Sequence, residues 1–284
     1  MYKGNSIIKR AAQDRLEKLA KHFPVVLLKG SRGAGKTTLL KSFSQDKDIN
    51  YVTFEYPRNR VFAKSDPELF LQQYKAPLII DESKYAPELL PYIKIYVDKT
   101  NTNGQHYLTG SQMFYAMKNV SESLAGRVGI LILYSLSHSE IDNKESKPFL
   151  NESIIQCEQK RSITEVFEDI YRGGTPKLIT DKELFVEDYF DFYMQTYLER
   201  DIKDFVNVKD ETKFLRFIAS TAARTAQELN ISDIAKDVQI DTKTADNWLS
   251  ILVSSGLVYL LQPYSGNNIK RIVKRPKLYF MDTG

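Results

Sequence analysis

The stretch Gly30-Ser31-Arg32-Gly33-Ala34-Gly35-Lys36-Thr37, directly after the apolar run Val25-Val26-Leu27-Leu28, constrains this chain more than any other. It satisfies G-x-x-x-x-G-K-[ST], with a strand-like run before it and a helical sequence after it. Glycines so closely spaced do not suit a packed interior. They let the backbone wrap tightly and aim successive N–H groups at an anion. A helix opening near Gly35 adds its unpaired N–H groups and the positive end of its dipole. The expected guest is the phosphate chain of a nucleotide, held by Gly30, Ser31, Arg32, Gly33, Ala34, Gly35, Lys36, Thr37 and Thr38. Lys36 is expected to reach the β- and γ-phosphates, and the Thr37 hydroxyl to ligate Mg²⁺.

Binding is not hydrolysis, so a carboxylate site is also required. The run Ala76-Pro77-Leu78-Ile79-Ile80 ends in Asp81-Glu82. Asp81, at a strand tip, is suited to the Mg²⁺ shell, and Glu82 to polarising an attacking water as general base. A third run, His106–Thr109, ends in Thr109-Gly110-Ser111-Gln112. Ser111, with Thr109 as second choice, is a candidate to face the γ-phosphate and act in catalysis; a plain strand-to-helix turn is the alternative. Arg127, in Ser123-Leu124-Ala125-Gly126-Arg127, is a candidate to stabilise transferring phosphoryl charge in its own subunit or a neighbour. A surface ion pair with Glu122 is its alternative.

These motifs fall within an alternation of apolar runs and helical patterns. The runs Phe23–Leu28, Tyr51–Glu55, Pro77–Asp81, His106–Thr109 and Gly129–Tyr134 have the length of buried strands. Helical spacing precedes them in Ser6–His22. It recurs after Pro87, where Leu89, Leu90, Ile93 and Val97 share a face. The pattern predicts an α/β fold with a parallel sheet covered on both sides. Residues 140–165 turn polar and irregular, placing a boundary near 140–160. The longest apolar candidate, Gly129–Tyr134, is far short of the roughly 18 residues of a membrane span. The amino terminus lacks the apolar core of a secretion signal. Cys157, the only cysteine, excludes an internal disulfide and a cysteine-cluster metal site. A cytoplasmic protein is expected, and a net charge of +4 neither demands nor excludes nucleic acid.

Residues 211–284 read as a winged helix-turn-helix. Phe214, Phe217, Ile218 and Thr221 share one face of a first helix. Ser232 is placed to cap a second, and Asp241 a third carrying Ala245, Trp248, Leu249, Leu252 and Val253. Gly256 ends that helix, and residues 265–268 form a wing turn. The outer face of the third helix (Lys243, Asp246, Asn247, Ser250) is near neutral. Lys270, Arg271, Lys274, Arg275 and Lys277 instead concentrate five cations in eight residues. These suit DNA phosphates without reading sequence, although such domains also bind proteins.

Taken together, "LLKGSRGAGKTTLL", "LIIDES", "APELLPYIK", "YLTGSQMF", "SESLAGRV", "RGGTP", "YLERDI" and "KLYFMDTG" resemble the bacterial and archaeal AAA+ ATPases that carry a carboxy-terminal domain of unknown function. The resemblance runs through nearly the whole chain. It implies a three-layer P-loop domain with sheet order 5-1-4-3-2, the strand before Ser111 lying between those that carry the loop and Asp81. It also implies ATP rather than GTP, since no N-K-x-D sequence occurs. Ser83-Lys84 stand where the family usually has Ile-Gln, and the family normally continues past Asp282-Thr283-Gly284 into a lobe resembling restriction endonucleases, so the resemblance implies no nuclease-like activity for residues 1–284. The chain thus divides into a P-loop domain (1–145), a linker and helical region (146–210) and a winged helix (211–284). Tyr197–Asp201 and Arg172–Pro176 are markers without a derivable chemistry; for Arg200 a structural role is favoured.

The expectation is an ATP-hydrolysing switch, with ATP and Mg²⁺ as cofactors, coupled to a module that contacts DNA or a protein. A DNA-binding regulator using ATP only as a ligand is the alternative. A small-molecule kinase would need an acceptor pocket and an arginine-rich lid, and the sequence shows neither.

Overall fold

The computed structural model describes residues 7–110, 123–144, 161–197, 211–264 and 274–284. Five parallel strands form the central sheet: β1 (Val25–Lys29), β2 (Asn50–Thr53), β3 (Leu78–Asp81), β4 (His106–Gly110) and β5 (Val128–Ile132). Their order is β2-β3-β4-β1-β5, the 5-1-4-3-2 arrangement read from the other edge. Every residue of β1, β3 and β4 is buried, which is why these strands appear in the sequence as unbroken apolar runs rather than alternations.

Alternate side chains serve two cores. Val25 and Leu27 join Phe54, Phe70, Ile80, Leu89 and Ile93 on one face. Val26 and Leu28 join Leu16, Leu39, Leu40, Phe43 and Ile79 on the other. Each fully buried Leu, Ile or Phe contributes about 1.5–3 kcal/mol relative to exposure. The helices around the sheet are α1 (Ala12–His22), α2 (Lys36–Ser44), α3 (Pro57–Ser65), α4 (Pro67–Gln73) and α5 (Leu90–Thr100). Pro57, Pro67 and Pro91 stand in first turns, where the missing N–H costs nothing. The leading helix starts at Ala12, later than the helical spacing from Ser6 suggests. Arg10 is drawn into the interior instead, with only 8% of its surface exposed.

After β5 come α6 (His138–Ile141), α7 (Ile163–Arg172), α8 (Pro176–Thr180) and α9 (Val186–Tyr197). The chain groups into two compact units, residues 1–170 with 174–181, and residues 171–173 with 182–284. The second unit contains α10 (Glu211–Ala222), α11 (Ile231–Val238) and α12 (Thr242–Ser254), with an antiparallel pair, β6 (Val258–Leu261) and β7 (Lys277–Phe280). Phe214, Phe217, Ile234, Ala245, Trp248 and Leu252 fill its core, with Trp248 edge-on to both phenylalanines. Asp241 caps α12 through the Thr244 N–H at 2.9 Å, and Gly256 follows its end at φ 77°. Ser232 does not cap α11, because the helix begins at Ile231 and Asn230 holds the N-cap position. No described helix is long and apolar enough to cross a membrane.

Candidate functional site

The loop between β1 and α2 is shaped by positions that only glycine tolerates. A Cβ on Gly30 would overlap the Leu133 carbonyl oxygen. Gly33 and Gly35 hold φ at 80° and 91°, where a side chain is strained. Gly35 is the N-cap of α2, so the helix opens directly from the loop. Lys36 is buried and folds back along it, its Nζ donating to Gly30 O at 2.9 Å and Ser31 O at 2.8 Å.

Parallel register brings the carboxylates to this end of the sheet. Asp81 ends β3 and is 5% exposed. Three hydroxyls donate to it: Thr37 Oγ1 at 3.0 Å, Tyr51 OH at 2.9 Å and Thr109 Oγ1 at 2.5 Å. Thr109 Oγ1 also accepts the Glu82 N–H at 2.9 Å, and Thr109 O accepts the Ser83 hydroxyl at 2.9 Å. One threonine of β4 therefore holds both Asp81, at the tip of β3, and Glu82 just beyond it. The Tyr51 phenol is pushed above its ordinary range by burial and by the adjacent Asp81 charge.

Glu82 has left-handed backbone, φ 55° and ψ 46°, which turns its side chain out of the strand's alternation. Its Oε2 is buried with no hydrogen-bond partner, and Lys84 Nζ lies 3.7 Å away. Burial raises the Glu82 carboxyl above the usual range, while the Lys84 and Lys36 charges oppose it and Asp81 adds to it. A partly desolvated carboxylate beside a phosphate-type loop has the character of a general base.

These residues fit MgATP on grounds of shape and donor chemistry. The loop has no room for side chains at Gly30, Lys36 is fixed at its mouth, and Thr37 with Asp81 makes a hard oxygen pair suited to Mg²⁺. Beside the loop is a cavity of about 380 Å³ lined by Ile8, Arg10, Thr38, Leu136, Pro176 and Lys177 among others, a size suited to a small ligand. The Arg172–Pro176 motif thus has a local reason at its glycine. A Cβ on Gly174 would overlap Leu136 O, and Leu136 N–H donates to Gly174 O at 2.7 Å, bringing Pro176 to the cavity.

Not every expected residue converges. Arg127 is not at the loop of its own chain. Its carbonyl accepts from Val25 N–H at the far end of β1, and its guanidinium pairs with Asp98, with Nη2 2.9 Å from Oδ2. The expected Glu122 pairing, Ser111, Cys157, Arg200, Lys270, Arg271 and residues 265–268 lie outside the described residues. Lys274, Arg275 and Lys277 are described and exposed. Sequence reasoning missed Arg10, Tyr51 and Glu140. Of these, Glu140 alone carries a local signal, the Ser137-x-x-Glu140 capping box, which is fully formed.

Residues 22–142 match the model of an AAA domain, and residues 163–284 match a domain of unknown function, DUF8612. The chain thus joins an AAA-type P-loop domain to a carboxy-terminal domain of unknown function. Two uncharacterized proteins are 29% identical to this chain over 283 residues, Rv2008c of Mycobacterium tuberculosis and Mb2031c of Mycobacterium bovis. The match covers 98% of the chain but only 58% of each relative. Among solved structures, the Walker-type ATPase PABY2304 of Pyrococcus abyssi aligns with a TM-score of 0.59 at 14% identity, covering 98% of this chain and 94% of that one. That likeness concerns the fold, and the AAA-type fold is one that supports ATP binding.

Proposed function

We propose that this AAA+ chain binds MgATP at Gly30–Thr38 and hydrolyses it. The observation that carries the reading is the convergence on Asp81 and Glu82. The Thr37 hydroxyl reaches Asp81 at 3.0 Å, while the neighbouring Glu82 presents a buried oxygen with no hydrogen bond of its own. Thr37 and Asp81 would hold Mg²⁺, which when bound neutralises charge on the phosphate oxygens. Loop N–H groups and Lys36 bind and orient the phosphates. Glu82, ionised, takes a proton at Oε2 from the attacking water. Thr109 keeps Glu82 and Asp81 in register. The cavity at Ile8, Leu136 and Pro176 receives the base.

The second unit acts as a winged-helix module that changes its contacts as ATP is hydrolysed. Three helices followed by an antiparallel hairpin favour that reading, and exposed Lys274, Arg275 and Lys277 favour DNA phosphates as the contact. A regulator that binds DNA and uses ATP only as a ligand is the second reading. Calorimetry with ATP and Mg²⁺ tests the binding site: the wild type binds with 1:1 stoichiometry, and Lys36→Ala weakens binding at least tenfold. Equal affinities would reject the site. Phosphate release by the wild type separates the hydrolase from the ligand-only regulator.

A further inference from the structure

The buried Arg10 contacts none of Asp81, Glu82 and Thr109, yet it touches the phosphate loop directly. Its Nη1 donates to Ala34 O at 2.7 Å, Nη2 to Tyr134 O at 2.7 Å and Nε to Glu140 Oε1 at 3.0 Å. Glu140 is in turn held by the Ala11 N–H at 2.8 Å and the Ser137 N–H at 2.8 Å. Burial alone would raise the Glu140 carboxyl, but the Ser137 and Ala11 amides and Arg10 outweigh it and keep the pKa below the usual range. Three segments far apart in sequence thus meet on one guanidinium: residues 10–11, residues 134–140 and the loop itself.

The loop contact has a directional consequence. Across a trans peptide the C=O and the next N–H point opposite ways. Arg10, by holding the Ala34 carbonyl, therefore turns the Gly35 N–H away from itself. Gly35 sits at φ 91°, with Arg10 Nη1 3.4 Å and Pro176 Cγ 3.8 Å from where a Cβ would be. Arg10 and Glu140 are each no more than 8% exposed, so water does not replace these bonds.

We propose that Arg10, braced by Glu140, is the positioning residue that presets the 34–35 peptide of the phosphate loop and thereby sets nucleotide affinity. The inference rests on the reading of this loop as a nucleotide site. It goes further in making affinity depend on how residues 7–11 and 134–140 are docked. Glu140 orients the guanidinium, and Arg10 alone touches the loop. Neither touches Asp81, Glu82 or Thr109, so the chemical step is left intact.

The test is full-length Arg10→Met, which keeps the apolar stem but no donor, beside Arg10→Lys and Glu140→Gln. Calorimetric Kd for ADP and for ATP, and the KM and kcat of phosphate release, are measured for each. The expected result is a rise in Kd and KM of about ten- to a hundredfold for Arg10→Met, with kcat within about twofold. Arg10→Lys and Glu140→Gln should fall between wild type and Arg10→Met. A merely structural role would reduce the active fraction, lowering apparent kcat and binding stoichiometry while leaving Kd and KM unchanged, and that result overturns the proposal. Should Arg10→Met fail to fold, Arg10→Lys decides: an unchanged Kd in the folded protein overturns it. A wild type that binds neither ADP nor ATP overturns the underlying nucleotide reading and this inference with it. Normal wild-type binding with unaffected variants overturns this inference alone.

Discussion

Thr109→Val is the substitution whose effect can be worked most fully from the structure. Thr109 is 1% exposed, and valine has nearly its shape, so packing is preserved. What disappears is one oxygen with two duties, accepting from Glu82 N–H at 2.9 Å and donating to Asp81 Oδ1 at 2.5 Å. A buried N–H left without a partner costs about 1–3 kcal/mol, and a hydrogen bond to a charged group is worth about 1.5–3 kcal/mol. Asp81 keeps its Thr37 and Tyr51 donors, so its share falls at the lower end. The sum is about 3–4 kcal/mol. At about 2–4 °C per kcal/mol for a unit of this size, the melting temperature of the first unit falls by roughly 6–16 °C. Thr109→Ser retains both bonds and should stay within about 1 kcal/mol. Turnover of the Val variant should fall at least tenfold, since the backbone that aims Glu82 is released, while ADP affinity changes little. Differential scanning calorimetry and phosphate release read these out. A Val variant as stable and active as the Ser variant would refute the claim that Thr109 organises both acids.

Four other perturbations have definite signs. Gly30→Ala puts a methyl onto the Leu133 carbonyl, so the loop must move and ATP affinity by calorimetry should drop more than tenfold. Turnover should fall as pH drops through the Glu82 pKa. Because Lys84 opposes the burial-driven rise, Lys84→Met should move the acid limb of the kcat profile to higher pH. A raised carboxyl pKa also favours the protonated folded state. Glu82 therefore costs stability as pH rises above the ordinary carboxylate range, and Glu82→Gln should gain on wild type in urea unfolding as pH is raised through it. Finally, replacing Lys274, Arg275 and Lys277 by Ser should reduce the salt slope of DNA binding, measured by anisotropy, by about 0.9 for each phosphate no longer neutralised. An unchanged slope would point to a protein partner.

How much of this was legible in the sequence follows from the range of each interaction. The phosphate loop is local: three glycines, a lysine and a threonine within eight positions carry their own geometry. The strands are legible because β1, β3 and β4 are buried on both faces, and their ends differ from the apolar runs by only one or two residues. The Asp81 hydroxyl cage is not local. Tyr51 and Thr109 stand 30 and 28 residues from Asp81, and only sheet register brings them together. Arg10 and Glu140, 130 residues apart, are further beyond any pattern rule. Arg127 shows the opposite failure. Being near a strand in sequence did not say which end of the sheet it would occupy, and the start of β5 lies at the end away from the loop.

The most direct test of the central claim pairs binding with turnover in one variant. Glu82→Gln preserves size and leaves Thr37, Asp81 and the loop untouched. It should bind ATP with Mg²⁺ within about threefold of wild type while phosphate release falls by two to four orders of magnitude, the range typical of a lost general base. Wild-type rates of phosphate release from Glu82→Gln, with ATP still bound, would contradict the assignment of Glu82 and with it the hydrolytic reading of this site.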